Sequence, residues 1–285
     1  VRIEASHVVK RFERVVALDD VSFAIPSGRR VALVGPNGSG KSTLNRVVMG
    51  LVAASGTLRL DGCDPLRERV AIAQRLAYVP QIAPQLAAPV GEWVGAVARV
   101  RGLPAIAVED AVRALGLDLA LLAPRPFRSL SGGTKQKLLI ALAFAAPVSL
   151  LVLDEPTGSL DAASRERFFA LFERRADDAT LLLCSHRLEE IRPLVDDVLV
   201  LNEGRLAWQG PVEHFLAECG IAQLEVWADG EAAAAWLAGE GFRRTAGGPW
   251  LRTASAAEKM KLLSSIPGAL GPALRNLNAR DLEAI

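Results

Sequence analysis

The sequence predicts an α/β fold on three observations. Short, continuously apolar β-prone runs recur at Arg30-Val-Ala-Leu-Val34, Leu150-Leu-Val-Leu153, Thr180-Leu-Leu-Leu-Cys184 and Val198-Leu-Val-Leu201. Helical stretches separate them, and a glycine-rich turn follows the first run directly. Strands that stay apolar along their whole length suit a parallel sheet covered on both faces.

Taken in chain order, residues 1 to about 30 alternate in short β-prone runs, Val15-Val-Ala-Leu18 and Val21-Ser-Phe-Ala-Ile25, until Pro26-Ser-Gly28 turns the chain into Arg30–Val34. Ser42 to Leu51 has helical character, and Gly56-Thr-Leu-Arg-Leu-Asp-Gly62 reads as a strand between glycines. From Ala83 to about Ala123 the texture is alanine- and leucine-rich and helical, with Val90–Val100 and Ile106–Leu115 broken by Gly102, Pro104 and Gly116. This block reads as a helical insertion. The core resumes at Leu150 and closes near Gly210, with a helix over Ala162–Arg175. Beyond it, Leu224–Trp227, Glu231–Ala238, a hairpin over Phe242–Thr253 and Ala254–Ser265 suggest a βαββα unit. The expected divisions are a core of residues 1–84 and 146–215, an insertion of 85–145 and an appendage of 216–285.

Leu138 to Leu153 is the one stretch that imitates a membrane span, but Pro147 and Ser149 interrupt it and it falls short of a crossing helix. It reads better as a buried helix, a turn and a buried strand. With 33 basic and 32 acidic residues the net charge is +1, so nothing in the overall charge calls for nucleic acid or an anionic membrane as partner. Cys63, Cys184 and Cys219 are far apart, which argues against a disulfide framework or a zinc site and suits a reducing, cytoplasmic setting. No secretory signal is visible at the N-terminus. His7, His186 and His214 form no ligand cluster with the cysteines.

Gly35-Pro-Asn-Gly-Ser-Gly-Lys-Ser42 follows a strand and opens a helix, the context in which such a loop binds phosphate. Backbone N–H groups of Gly35, Pro36, Asn37, Gly38, Ser39, Gly40, Lys41, Ser42 and Thr43, proline excepted, can curl around phosphate oxygens at the helix N-terminus. Lys41 supplies a cation and Ser42 a hydroxyl for Mg²⁺. Leu150-Leu-Val-Leu-Asp154-Glu155 is an apolar strand ending in two carboxylates, where Asp154 suits Mg²⁺ and Glu155 an attacking water. In Leu130-Ser131-Gly132-Gly133-Thr134-Lys135-Gln136, a hydroxyl and two glycines precede a helix, so Ser131, Gly132 and Gly133 are further candidates for a phosphate.

These motifs, in this order over roughly residues 1 to 215, resemble the nucleotide-binding domain of ABC transporters. The resemblance implies a P-loop NTPase core with an antiparallel β subdomain and a helical insertion; the 216–285 region, read from its own residues, adds a small C-terminal α+β appendage. It implies that Phe12 stacks on adenine, that Gln81 in Tyr78-Val-Pro-Gln81 senses Mg²⁺ and the membrane partner, and that Leu130–Gln136 is the family signature. It implies that Asp161 communicates between paired sites and that His186 sits near the γ-phosphate. Thr134 departs from the glutamine usual after the signature glycines, and Asn45 stands where leucine is more common. ATP and Mg²⁺ are the implied ligands. The implied assembly is a homodimer with two ATP sites, bound to membrane permease subunits at the cytoplasmic face of the cell membrane, with no nucleic acid. The C-terminal region looks like those of ABC-2-type exporters; import, or remodelling of DNA or ribosomes, are the competing expectations.

Overall fold

The chain turns into its central sheet where the sequence changes from half-buried to continuously buried strands. The computed structural model describes residues 1–175, 179–185, 192–219, 221–245 and 248–282. They divide into two units, Val1–Gln209 and Gly210–Ile285, a division that falls before the 216 expected from sequence.

In the first unit, strands β1 (Ile3–Phe12) and β2 (Val15–Ile25) form an antiparallel hairpin, and β4 (Ser55–Leu60) pairs on the other side of β1. The two short runs read from sequence are therefore one eleven-residue strand. Its interior Asp19-Asp20 hides that continuity, because aspartate disfavours strands and Asp20 takes a positive φ of 60°.

The second sheet has six strands in the order β5-β6-β7-β3-β8-β9. They are β3 (Arg30–Val34), β5 (Leu76–Val79), β6 (Leu150–Asp154), β7 (Thr180–Cys184), β8 (Asp197–Asn202) and β9 (Arg205–Pro211). From β5 across to β8 the pairing is parallel. Every residue of β6 and β7 is buried, the physical reason their sequences show no alternation. Glu203 and Gly204, both at positive φ, make the two-residue turn from β8 to β9.

Helices α1 (Lys41–Val48) and α2 (Arg69–Arg75) precede the insertion, which carries α3 (Val90–Arg101), α4 (Ala105–Ala114), the short α5 (Leu119–Leu122) and α6 (Gly132–Ala145). Gly102, at φ 62°, ends α3. Helix α6 is buried almost all round, so it lacks an amphipathic pattern. Helix α7 (Ala162–Arg175) follows β6. One hydrophobic cluster joins Leu44, Val47 and Val48 of α1 to Val31, Leu33, Val152, Leu182 and Leu199 of the sheet.

The second unit begins with α8 (Val212–Cys219), then runs β10 (Ile221–Ala228), α9 (Glu231–Gly239), β11 (Arg243–Arg244), β12 (Trp250–Ser255), α10 (Ala256–Leu270) and β13 (Leu274–Leu282). Its sheet order is β11-β12-β10-β13, antiparallel throughout. The expected βαββα unit is thus βαββαβ. Asn276, Asn278 and Asp281 mask the last strand in sequence; its long register against β10 makes it one. Leu224, Val226, Leu237, Phe242, Leu262 and Ile266 form this unit's own core.

No helix among the described residues is long and apolar enough to cross a membrane.

Candidate phosphate-binding site at the carboxyl edge of the sheet

Strand β3 ends at Val34 in the middle of the sheet, and the loop Gly35–Gly40 carries the chain into α1. Two of its glycines are required by close packing. A Cβ on Gly35, at φ 150°, would lie 2.1 Å from the Leu201 carbonyl oxygen, and one on Gly40, at φ 105°, would lie 2.4 Å from that of Ala17. The loop is further pinned by Gly204 N–H donating to the Ser39 carbonyl at 3.0 Å, and by Asp19 N–H donating to Gly204 at 2.8 Å. Pro36 is half-buried, and Asn37 and Gly38 are exposed at the tip.

Gly40 caps α1 without a side chain, so the first-turn N–H groups of Lys41, Ser42 and Thr43 face outward with no partner from a cap. The Lys41 ammonium folds back to donate to the carbonyls of Gly35 at 2.5 Å and Pro36 at 3.0 Å. Ser39 is only 2% exposed, and its hydroxyl has no hydrogen-bond partner among the described residues. A glycine-lined loop, a cation seated on it, an orphaned hydroxyl and open helix N–H groups fit a polyphosphate chemically.

Two strands away, β6 delivers Asp154 to the same edge. Its carboxylate accepts from the Ser42 hydroxyl at 3.5 Å and is 6% exposed. Burial and then the neighbouring Glu155 carboxylate push the Asp154 carboxyl up, while Lys41, the Ser42 hydroxyl and Arg46 pull it down. A hydroxyl and an oxygen anion that is costly to leave uncompensated are a donor set for a hard cation such as Mg²⁺. Among the described residues no group of three His, Cys, Asp or Glu side chains makes an all-protein metal cage, and Mg²⁺ characteristically needs only one or two carboxylates plus substrate phosphates.

Glu155 lies just past the strand at φ 47°, a left-handed conformation uncommon for a non-glycine residue. Its N–H donates to the Cys184 carbonyl at 2.9 Å, which extends the β6–β7 pairing and holds the residue at the edge. Gln81 follows β5 in an exposed bend, and the register Val79↔Leu153 puts it at the same edge as Glu155. Lys41, Ser42, Asp154, Glu155 and Gln81 are thereby drawn to one edge from three strands.

The remaining candidates lie elsewhere in the unit. Phe12 ends β1 and is 42% exposed, with the Lys10 ammonium 4.7 Å from its ring centre, so it is no core aromatic. Ser131 caps α6 and accepts from Thr134 N–H at 3.2 Å. Gly132 is exposed, and a Cβ on Gly133 would come within 2.8 Å of the Ser159 carbonyl. Asp161 accepts from Ser164 N–H at 2.7 Å at the start of α7, and that backbone bond chiefly lowers its carboxyl below the usual range. His186 lies outside the described residues.

Three features were not read from sequence. The Asn45 amide donates to Cys184 Sγ at 3.0 Å beneath the loop. Gln136 donates to the Pro80 carbonyl and Lys135 to Gln85, each at 3.3 Å, which ties α6 to the segment after β5. The Thr134 and Ser131 hydroxyls lie 2.8 Å apart. The signals were present only as two oddities, Asn45 in an apolar helix and Thr134 after the glycines.

Residues 18–158 match the family described as "ABC transporter". The chain is 34% identical over 229 residues to the sulfate/thiosulfate import ATP-binding protein CysA of Ralstonia nicotianae, covering 73% of this chain and 58% of that protein. It is 34% identical over 232 residues to the Nod factor export ATP-binding protein I of the same organism, covering 77% of this chain and 70% of that protein. A solved structure of the ATP binding subunit of an ABC transporter superposes with a TM-score of 0.68 at 25% identity, over 75% of this chain and 92% of that one. The chain thus spans little more than half of the import relative but over two thirds of the export relative. Likeness at that level, on a fold shared with a solved ATP-binding subunit, makes this chain an ATP-binding domain of the ABC transporter family.

Proposed function

We propose that this chain is the ATP-hydrolysing subunit of an ABC exporter, peripheral to the cytoplasmic face of the cell membrane through a separate permease, and active as a homodimer. The observation that carries the hydrolytic reading is the approach of Ser42 and Asp154, 3.5 Å apart, beside the Lys41-bearing loop.

On this reading Lys41 leaves the Gly35 and Pro36 carbonyls for the terminal phosphates of ATP, and the loop N–H groups hold the remaining oxygens. Ser42, Asp154 and Gln81 would hold Mg²⁺, which supplies charge neutralisation at those phosphates when bound. Glu155, pinned by its N–H to Cys184, accepts the proton of the attacking water. The family resemblance assigns His186 to the γ-phosphate, and Phe12 offers its exposed ring to adenine. Ser131, Gly132 and Gly133 of one copy, with Asp161, close on the ATP held by the other.

Export is supported by the fuller coverage of the Nod factor export relative. Import is the second reading, supported by the equal identity to the sulfate/thiosulfate import protein.

Glu155→Gln tests the core of the proposal. It should retain ATP and slow phosphate release by about 10²–10⁴, the range for a positioned acid–base group; near wild-type turnover removes Glu155 from the role. The same variant, purified with Mg²⁺ and ATP from solubilised native membranes, should bring down one multi-span protein in equal amount. Recovery of ribosomal or DNA-bound proteins instead refutes the transporter role.

A further inference from the structure

Where the signature departs from its usual pattern, the departing residue lies against the helix cap. Ser131 caps α6, and its hydroxyl oxygen accepts from the Thr134 backbone N–H at 3.2 Å. The Thr134 side-chain hydroxyl lies 2.8 Å from the same oxygen. Thr134 is half-buried in the first turn of the helix, whereas Ser131 is exposed.

A serine hydroxyl has one proton to give and two lone pairs to fill. The Thr134 N–H fills one lone pair. If the Thr134 hydroxyl donates into the second, the only function left on Ser131 is its proton, which must point away from the helix. If Ser131 donates to Thr134 instead, that proton is spent inside the turn. A phosphate oxygen can only accept, so its arrival selects the first arrangement and makes a charge-assisted bond to an anion. In the resulting chain, Thr134 to Ser131 to phosphate, each bond polarises the next. A β-branched side chain also restricts the Thr134 rotamers, so the donor is held in place at small entropic cost.

We propose that Thr134 is a positioning residue, whose hydroxyl commits the single proton of Ser131 to a phosphate oxygen of the ATP bound by a second copy of the chain. This rests on the homodimer reading above. It assigns to the departing residue a task that its backbone N–H, which donates to the Ser131 cap, does not perform.

The test uses the full chain carrying Glu155→Gln for ATP-driven dimerisation, read by sedimentation against Mg·ATP concentration, and otherwise wild-type chain for the KM and kcat of phosphate release. Four variants are compared: Thr134→Val, which keeps shape and backbone cap but lacks the hydroxyl, Thr134→Ser, Ser131→Ala and the Ser131→Ala/Thr134→Val double variant. Thr134→Val should raise the half-dimerising ATP concentration and KM by about 5–30-fold, the loss of one hydrogen bond to a charged chain. Thr134→Ser should return both to within about twofold of wild type, a rescue that a merely space-filling role for Thr134 does not predict. In the Ser131→Ala background, Thr134→Val should add nothing, because the two act as one unit. Wild-type behaviour of Thr134→Val alongside an impaired Ser131→Ala overturns the inference and leaves the dimer reading standing, as does an additive double variant. Wild-type behaviour of Ser131→Ala removes Ser131 from the phosphate and overturns the inference, whereas failure of the Glu155→Gln chain itself to dimerise with Mg·ATP overturns the dimer reading beneath it. Should Thr134→Val lose its helical circular dichroism, the rescue decides: a Thr134→Ser variant that folds but dimerises as weakly as Ser131→Ala refutes the proposal.

Discussion

Replacing Asn45 by leucine should stabilise the nucleotide-free protein. Asn45 is 1% exposed on α1, directly after the phosphate loop, among Leu44, Val47 and Val48. Its amide nitrogen reaches Cys184 Sγ at 3.0 Å, but Oδ1 is buried with no hydrogen-bond partner among the described residues. Burial first, and then Asp154, push the Cys184 thiol far up, so it stays protonated and is only a weak partner. Turning the amide over lets the thiol donate to Oδ1 but leaves Nδ2 without an acceptor, so the deficit is exchanged rather than removed. An unpaired buried polar atom costs about 1–3 kcal/mol, and the contact to sulfur returns about 0.5–1 kcal/mol. Leucine branches at the same atom as asparagine and carries no polar group, and a swap of nearly matching shape costs less than about 1.5 kcal/mol in fit. The balance favours leucine by about 0.5 kcal/mol, which is about 1–2 °C for a domain of 150–250 residues. Thermal melts by far-UV circular dichroism and urea midpoints, both without nucleotide, measure it. A midpoint equal to or below that of the native chain refutes the reasoning, and implies that a buried water completes the asparagine's bonds.

Tyr78 is the only tyrosine in the chain, so absorbance at 295 nm titrates it alone. Burial, then the Asp154 charge, raise it from 10.0 to about 12; the folded protein should titrate there and the urea-unfolded chain near 10. Because the folded value is the higher one, stability should fall as pH rises from about 10 towards 12, the unfolded chain losing its proton first; a folded midpoint near 10 disproves the burial. Gly35→Ala sets a Cβ 2.1 Å from the Leu201 carbonyl at φ 150°, so the loop must move. A Tm drop together with weakened ATP binding, measured by a fluorescent ATP analogue, is expected; native affinity in the variant contradicts the packing described.

The sequence by itself determines the elements whose signal is local. Strands β3, β6 and β7 are visible because burial on both faces keeps polar residues out of their interiors and leaves Arg30, Asp154 and Thr180 only at their ends, and the phosphate loop because its glycines and Lys41 are bound to a strand on one side and a helix on the other. Strands β5 and β13 are not visible: one has four residues, the other carries Asn276, Asn278 and Asp281, and both exist because a neighbour supplies the hydrogen bonds. The tertiary structure alone decides that Ser42 meets Asp154 across 112 residues of chain, that Gly133 must be small because the Ser159 carbonyl lies against it, and that the polar oddity at Asn45 faces Cys184. Motifs are written along the chain because each needs a particular backbone path. Partners are not, because sheet order and helix packing choose them from distant segments.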